Sequence, residues 1–294
     1  MSRPLSNSNK VIAVVGPTAS GKTAFAIDLA KKINGEIISA DSRLVYKGFD
    51  IGTAKPTIEE QEGIPHYMID IVEPEFDYTA GLYKDDASKF IDIIIAKGKT
   101  PIIVGGTGLY IDILLKNYDL PRIEPNKQLR AELSELDNDT LYSRLVKLDQ
   151  NAEKTININD RRKIVRAIEI LKATGKSLND SRGINTARYN IEWIGKNFDR
   201  KTLYQRIEKR VDIMFEQGIV DETKFLLSKH GRIKNLIGTI GYKEVIGYLD
   251  GKMTLEETKD VLKQNTRRYA KRQLTWFRKN EEIIWDVYPD KLKK

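Results

Sequence analysis

Residues 16–23 read Gly-Pro-Thr-Ala-Ser-Gly-Lys-Thr. Gly16, Gly21, Lys22 and Thr23 complete the G-x-x-x-x-G-K-[ST] phosphate loop. An apolar run, VIAVV at 11–15, leads into it, and a helical pattern, TAFAIDLAKKI at 23–33, leads out. Such a strand delivers a loop whose backbone N–H groups wrap an anionic phosphate at a helix N-terminus. Lys22 adds a point charge, and the Thr23 hydroxyl can hold Mg²⁺. Taken alone, the motif points to a nucleotide triphosphate site. It leaves open whose phosphate is held and what becomes of it.

Other residues could join this chemistry. Asp41 directly follows the apolar run EIISA at 36–40. That position suits a general base or an indirect Mg²⁺ ligand, and it equally suits a helix N-cap. The run TPIIVGG at 100–106 stops on glycines where phosphoryl-transfer enzymes often place a metal-holding acid. Gly105, Gly106 and Gly108 permit a ligand to approach the backbone closely, and Thr107 supplies a hydroxyl. Asp70, closing HYMID, is the remaining candidate acid for a metal, with a strand-end turn as its other reading. His66 reads as a packed structural histidine. Tyr46 and Tyr110 either line a pocket or pack.

The elements that position these groups alternate strand and helix. After the loop helix come EIISA, HYMIDIV at 66–72, an amphipathic helix over 79–98, the strand at 100–106 and a helix over 108–116. This alternation predicts a parallel α/β sheet with helices on both faces. In such a sheet ligands sit outside the carboxyl ends of the strands, so segments 16–23, 41–46 and 105–110 should meet around one crevice. From 126 to 173 only helical periodicity remains, in three pieces, and ARYNIEWIG at 187–195 returns to the sheet. The economical division is a core of 1–118 and 186–294 with an all-helical insertion at 119–185. Beyond 200 the chain is helical. Its last long helix spans Leu255 to Phe277, capped by Thr254 with Glu257, and IIWDV at 283–287 is a candidate final strand.

Composition narrows the class. There is no cysteine, which excludes disulfides and thiolate metal sites, and two histidines argue against a His-based zinc site. No apolar stretch approaches the ~20 residues of a membrane helix. The N-terminus lacks the apolar core of a signal peptide. A cytoplasmic protein with no membrane partner is expected. The net charge of +8 is concentrated in residues 259–279, which hold eight Lys or Arg against one acid, Asp260. A second basic cluster, RRKIVR, occupies 161–166. Basic helices interleaved with Tyr269, Trp276 and Phe277 suit a nucleic-acid backbone, although a solvated helix face accounts for one such cluster. These readings leave a small-molecule kinase and a transferase acting on RNA both open.

The ordered motifs go further. GPTASGKT is followed by ISADSRLVY (38–46), DIGTAKP (50–56), GIPHYMID (63–70), VGGTGLY (104–110), NDRRKIVRAIEI (159–170), IGYKE (240–244) and TRRYAKRQLTWFR (266–278). This series, over about residues 10–279, resembles the bacterial tRNA dimethylallyltransferases. The resemblance implies a P-loop, nucleotide-kinase-like core and a helical insertion that binds tRNA. It implies transfer of a dimethylallyl group from dimethylallyl diphosphate to the exocyclic amine of adenosine 37, next to the anticodon.

The resemblance also implies roles. Asp41 matches the family's catalytic aspartate, and Thr107 the threonine that contacts the target base. Gly16, Thr18, Ala19, Ser20, Gly21, Lys22 and Thr23 would hold the diphosphate, with Mg²⁺ on Thr23. Arg206 and Arg210 resemble a basic pair able to reach it. Asp41, Ser42, Arg43, Leu44, Arg162, Lys163 and Arg166 correspond to stretches that contact tRNA. Two positions depart from the family pattern: Leu44 stands where Gln is usual, and Lys163 where Arg is more frequent. Leu44 cannot hydrogen-bond a base edge, and Lys163 loses a bidentate or stacking contact. A monomer is expected.

Overall fold

The computed structural model describes residues 9–118, 121, 123–178, 180, 183 and 188–287. The strands are β1 (Lys10–Val15), β2 (Gly35–Ala40), β3 (His66–Tyr67), β4 (Thr100–Gly105), β5 (Asn190–Gly195) and β6 (Ile284–Trp285). They form one sheet in the order β3-β2-β4-β1-β5-β6, with every pair parallel. Strands buried on both faces read as continuous apolar runs, and β1, β2 and β4 are of this kind. Alternate residues serve opposite cores. Ile12, Val14, Ile37, Ile102 and Val104 pack on α1 (Lys22–Ile33). Val11, Ala13, Val15, Ile38 and Ile103 pack on α2 (Ala80–Ala96) and α3 (Gly108–Leu115).

The strands end level. Val15 is in register with Gly105 and with Gly195, and Gly105 with Ala40. The residues that follow, Gly16, Asp41 and Gly106, therefore emerge on one edge of the sheet. Over this edge lie α8 (Arg200–Glu216), α9 (Ile219–His230), α10 (Lys234–Ile237), α11 (Tyr242–Leu249) and α12 (Leu255–Phe277). The expected Thr254–Glu257 capping box starts α12. Leu203 and Ile207 of α8 and Ala270 of α12 share a cluster with Ala19 of the phosphate loop.

The chain divides into two compact units, one running to Leu115 and resuming at Ala187, the other covering Lys116–Thr186. The second contains α4 (Lys127–Ser134), α5 (Asn138–Leu148), α6 (Ala152–Thr155) and α7 (Arg161–Thr174). Asn126, Asp137 and Asp160 cap α4, α5 and α7 by accepting from Leu129, Thr140 and Lys163 N–H groups. Leu129, Leu133, Leu141, Leu145, Ile164 and Ile168 form its core.

Three elements differ from the sequence-based expectation. HYMIDIV yields only the two residues of β3, because Met68 and Asp70 take left-handed φ values of 65° and 54° and break the pleat. The short helices α6 and α10 were not anticipated; four residues carry too little periodicity to register. Among the described residues no helix is long and apolar enough to cross a membrane.

Glu169 of α7 is the polar keystone of the second unit. Its side chain is 1% exposed and bonds Arg130 at 2.7 and 2.9 Å, Arg166 at 3.3 Å and the Asn126 N–H at 3.0 Å. Burial works to raise its pKa, but the bonds and charge of Arg130 outweigh it and hold the carboxyl below its usual range. Its stabilisation is therefore present at neutral pH and fades as pH falls through the lowered pKa. Its arginine partners keep part of their surface in water, so Glu169→Ala strands no fully buried charge and should cost about 1–3 kcal/mol for the lost hydrogen bonds, read by thermal unfolding.

Candidate active site

The phosphate loop is held from several sides. A Cβ on Gly16 would lie 2.2 Å from the Lys196 carbonyl oxygen, so only glycine passes there. Ala19 and Gly21 take left-handed φ values of 62° and 77°, turning the chain into α1. Arg206 does not reach into the cavity beside the loop; its Nε donates to the Ala19 carbonyl at 2.9 Å, and its guanidinium lies 4.6 Å over the Phe198 ring. It braces the loop from outside.

The loop opens on a cavity of about 350 Å³ at the level strand ends. Thr18, Lys22, Thr23, Asp41, Ser42, Arg43, Leu44 and Arg210 all line it. Lys22 Nζ donates to the Pro17 carbonyl at 3.1 Å. Burial, assisted by the charge of Arg210 and opposed by Asp41, pushes the Lys22 ammonium down to about 8. Arg210 is drawn in by its NH2, which donates to the Thr53 carbonyl at 3.1 Å. That carbonyl is fixed in turn. Glu222 accepts from the Ile51 and Gly52 N–H groups at 2.8 and 2.9 Å and from the Tyr242 hydroxyl at 2.7 Å. The DIGTA segment is thus a built turn that presents a carbonyl to a half-buried arginine.

Asp41 supplies the cavity's carboxylate. Its Oδ1 accepts from the Arg43 N–H at 2.8 Å, so it caps the following turn as well as facing the cavity. Thr107 is tied to the same segment: its Oγ1 accepts from the Ser42 N–H at 3.1 Å, and its own N–H donates to the Ala40 carbonyl. Tyr269 hydrogen-bonds Thr107, and its phenol is raised by burial and by the charge of Asp41.

The glycines after β4 have another reason than a ligand. A Cβ on Gly105 would meet the Ala40 carbonyl oxygen at 2.2 Å, one on Gly106 the Gln273 amide at 2.0 Å and one on Gly108 the Trp276 ring at 2.3 Å. It is the protein itself that approaches. Asp70 is not a cavity residue; it pairs with Lys55, which also bonds Asp50 at 2.6 Å. His66 is half-buried, its Nδ1 2.8 Å from the Ile64 carbonyl oxygen, and it lines the cavity as well.

Residues that the sequence did not assign to this cavity complete its walls, among them Tyr269, expected on a nucleic-acid face. Leu262, Thr266, Tyr269 and Gln273 form one face of α12, spaced by three and four, and all line the cavity. The signal was available: a helical stripe mixing apolar and polar residues faces something other than core or solvent. Val211, Met214 and Ile240 extend an apolar wall beside Arg210. The basic run on α12 is partly neutralised: Lys259, Lys263 and Arg267 pair with Glu256, Asp212 and Glu208. Arg272 lines the cavity, and Arg268 and Lys271 are exposed.

Within the second unit, Arg162 is exposed on α7. Lys163 Nζ donates to the Thr155 carbonyl at 2.8 Å, and Arg166 donates to the Ile123 carbonyl at 3.0 Å besides meeting Glu169.

Sheet, loop and cavity define a P-loop enzyme of the α/β class. A family model described as IPP transferase matches residues 44–280, and one described as isopentenyl transferase matches residues 9–73. A tRNA dimethylallyltransferase of Alkaliphilus oremlandii is 47% identical over 94% of this chain and 90% of its own length. The crystal structure of the full-length tRNA isopentenylpyrophosphate transferase of Bacillus halodurans superposes with a TM-score of 0.72 at 42% identity, covering 96% of this chain and 90% of that one. A eukaryotic dimethylallyltransferase caught acting on tRNA reaches 0.79 at 32% identity, covering 92% of this chain and 70% of that one. The chain belongs to the IPP transferase family.

Lys22 is protonated below about 8 and neutral above it. An anion that needs its charge should therefore lose affinity as pH rises through that value. Calorimetric titration with inorganic diphosphate should show this fall in the parent protein. Lys22→Met should bind more weakly throughout and lack that limb.

Proposed function

We propose that the protein transfers the dimethylallyl group of dimethylallyl diphosphate to the exocyclic amine of adenosine 37 in tRNA, releasing diphosphate. One observation carries the reading. A single cavity combines a phosphate loop, two half-buried cations (Lys22 and Arg210), an apolar wall and a carboxylate. Nucleotide sites use apolar walls too, for the base, so the likeness to the tRNA dimethylallyltransferases is what favours a prenyl donor over a kinase substrate.

In this reading the loop N–H groups, Lys22 and Arg210 bind the diphosphate. Val211, Met214 and Ile240 offer the five-carbon chain an apolar surface. The bond between the allylic carbon and the bridging oxygen breaks, and its electron pair leaves on the diphosphate. Preorganised positive groups stabilise that charge as it forms. The adenine amine donates its lone pair to the allylic carbon, and its proton passes to Asp41. With Oδ1 held by the Arg43 N–H, Oδ2 is the oxygen that takes the proton.

A divalent cation fits the donor set. The cavity offers the Thr23 hydroxyl, and among the described residues no cluster of three ligating side chains could cage a metal. Mg²⁺ is commonly held by one or two protein oxygens together with substrate phosphates. It would add charge stabilisation at the leaving oxygens.

The adenosine must leave its stack to reach Asp41 and Thr107. The helical unit at 116–186, with Arg162 exposed, is the proposed tRNA-binding part. Every group invoked comes from one chain, which supports a monomer as the working form. The donor and tRNA are both molecules of the cytoplasm, which supports that location.

The test supplies unmodified tRNA, Mg²⁺, ATP and labelled dimethylallyl diphosphate. Label should enter the RNA and diphosphate should appear in equal amount; ATP hydrolysis without labelled RNA would sink the reading. Asp41→Asn keeps the Oδ1 acceptor for Arg43 and removes the base. Its single-turnover rate should fall by roughly 10²–10⁴, with tRNA affinity little changed.

A further inference from the structure

Two halves of the cavity come from loops that no direct hydrogen bond joins among the described residues. The phosphate loop follows β1. The Gly106–Thr107 segment follows β4 and holds Ser42, next to Asp41. Gln273 of α12 stands between them, 5% exposed. Its Oε1 accepts from the Thr18 N–H at 2.8 Å, and its Nε2 donates to the Gly106 carbonyl at 3.0 Å. An amide is the side chain that suits this place, because it offers an acceptor to an N–H and a donor to a carbonyl from one planar group. A carboxylate would set a lone pair against the Gly106 oxygen. The fit is close, since a Cβ on Gly106 would lie 2.0 Å from Nε2.

The same helix grips the segment again one turn on. Trp276 Nε1 donates to Asp112 of α3 at 2.9 Å, and its ring occupies the space a side chain at Gly108 would need. Gln273 is thereby anchored on an element fixed independently to the Thr107 side.

We propose that Gln273 is a positioning residue that sets the distance between the diphosphate loop and the acceptor side formed by Thr107 and Asp41. It rests on the transferase reading above. Thr18 N–H is spent on Gln273, so the amide acts on the loop's place more than on its charge. Loss of Gln273 should therefore appear in the rate of transfer rather than in substrate binding, because misplacement near 1 Å costs on the order of 10²-fold.

The experiment compares the parent with Gln273→Leu, which lacks both bonds, and Gln273→Glu, which keeps only the acceptor for Thr18. Thermal unfolding establishes that each is folded. Single-turnover transfer to tRNA at saturating donor should fall roughly 10–100-fold in Gln273→Leu. Gln273→Glu should also be slowed, and KM for donor and for tRNA should stay within a few-fold of the parent in both. Should Gln273→Leu fail to fold, Gln273→Glu is judged by the same criteria. A folded variant transferring at the parental rate, or a loss lying wholly in KM, overturns the inference. A parent that transfers no label removes the transferase reading and this inference with it; an active parent with an unaffected variant removes this inference alone.

Discussion

Parallel strands that end at one level are the constraint on which the site depends. Val15, Ala40, Gly105 and Gly195 share one line across the sheet. Parallel pairing aims all four chains the same way, so the loops they release compete for one small region. Crowding follows directly. Gly16 sits against the Lys196 carbonyl, Gly105 against the Ala40 carbonyl, and any Cβ at either place would overlap backbone. The catalytic edge is built as a set of backbones packed at contact distance, with side chains added only where space remains.

Electrostatics of the cavity follow from that crowding. Lys22 and Arg210 are both half-buried; burial lowers the pKa of each, and the charge of Arg210 lowers that of Lys22 further. The structure makes limited provision for them: Lys22 has a carbonyl of its own loop, Arg210 has the Thr53 carbonyl, and Asp41 is the nearby carboxylate. Buried like charges cost free energy that a bound polyanion relieves. A diphosphate would complete the charge balance that the chain leaves open. The apolar wall, which Met214 extends on the next turn of α8, adds nothing to that balance and suits an uncharged group carried by the phosphates.

Much of this was legible in the residues, for local reasons. The phosphate loop, its strand and its helix are contiguous, so spacing alone located Gly16 to Thr23. Asp41 was found because it follows a buried strand. The return of 190–195 to the sheet showed in its apolar pattern. What was illegible depends on contacts between distant segments. Gln273 meets Thr18 across 255 residues, and nothing near either residue announces it. The glycines at 105–108 were visible, but their cause was not: Ala40, Gln273 and Trp276 fill the space a ligand was expected to use. Arg206 was chosen as a group able to reach the diphosphate; its Nε bond to the Ala19 carbonyl depends on which side of the loop α8 passes, which sequence does not tell. Asp70 resembled a metal ligand until Lys55 was seen beside it.

The brace supplied by α12 also bears on how the molecule is made. The phosphate loop is synthesised well before the helix that joins it to the Thr107 segment, since 255 residues separate Thr18 from Gln273. Closing so long a loop is entropically slow to reward, and domains tend to fold as units during synthesis. A nascent chain stopping before Leu255 would carry β1, β2, β4, the phosphate loop and Asp41. It would possess the residues of the chemistry and lack the span that relates them. Assembly of the competent site is thus deferred until α12 has been made, so that a chain lacking it holds reactive groups in no productive arrangement.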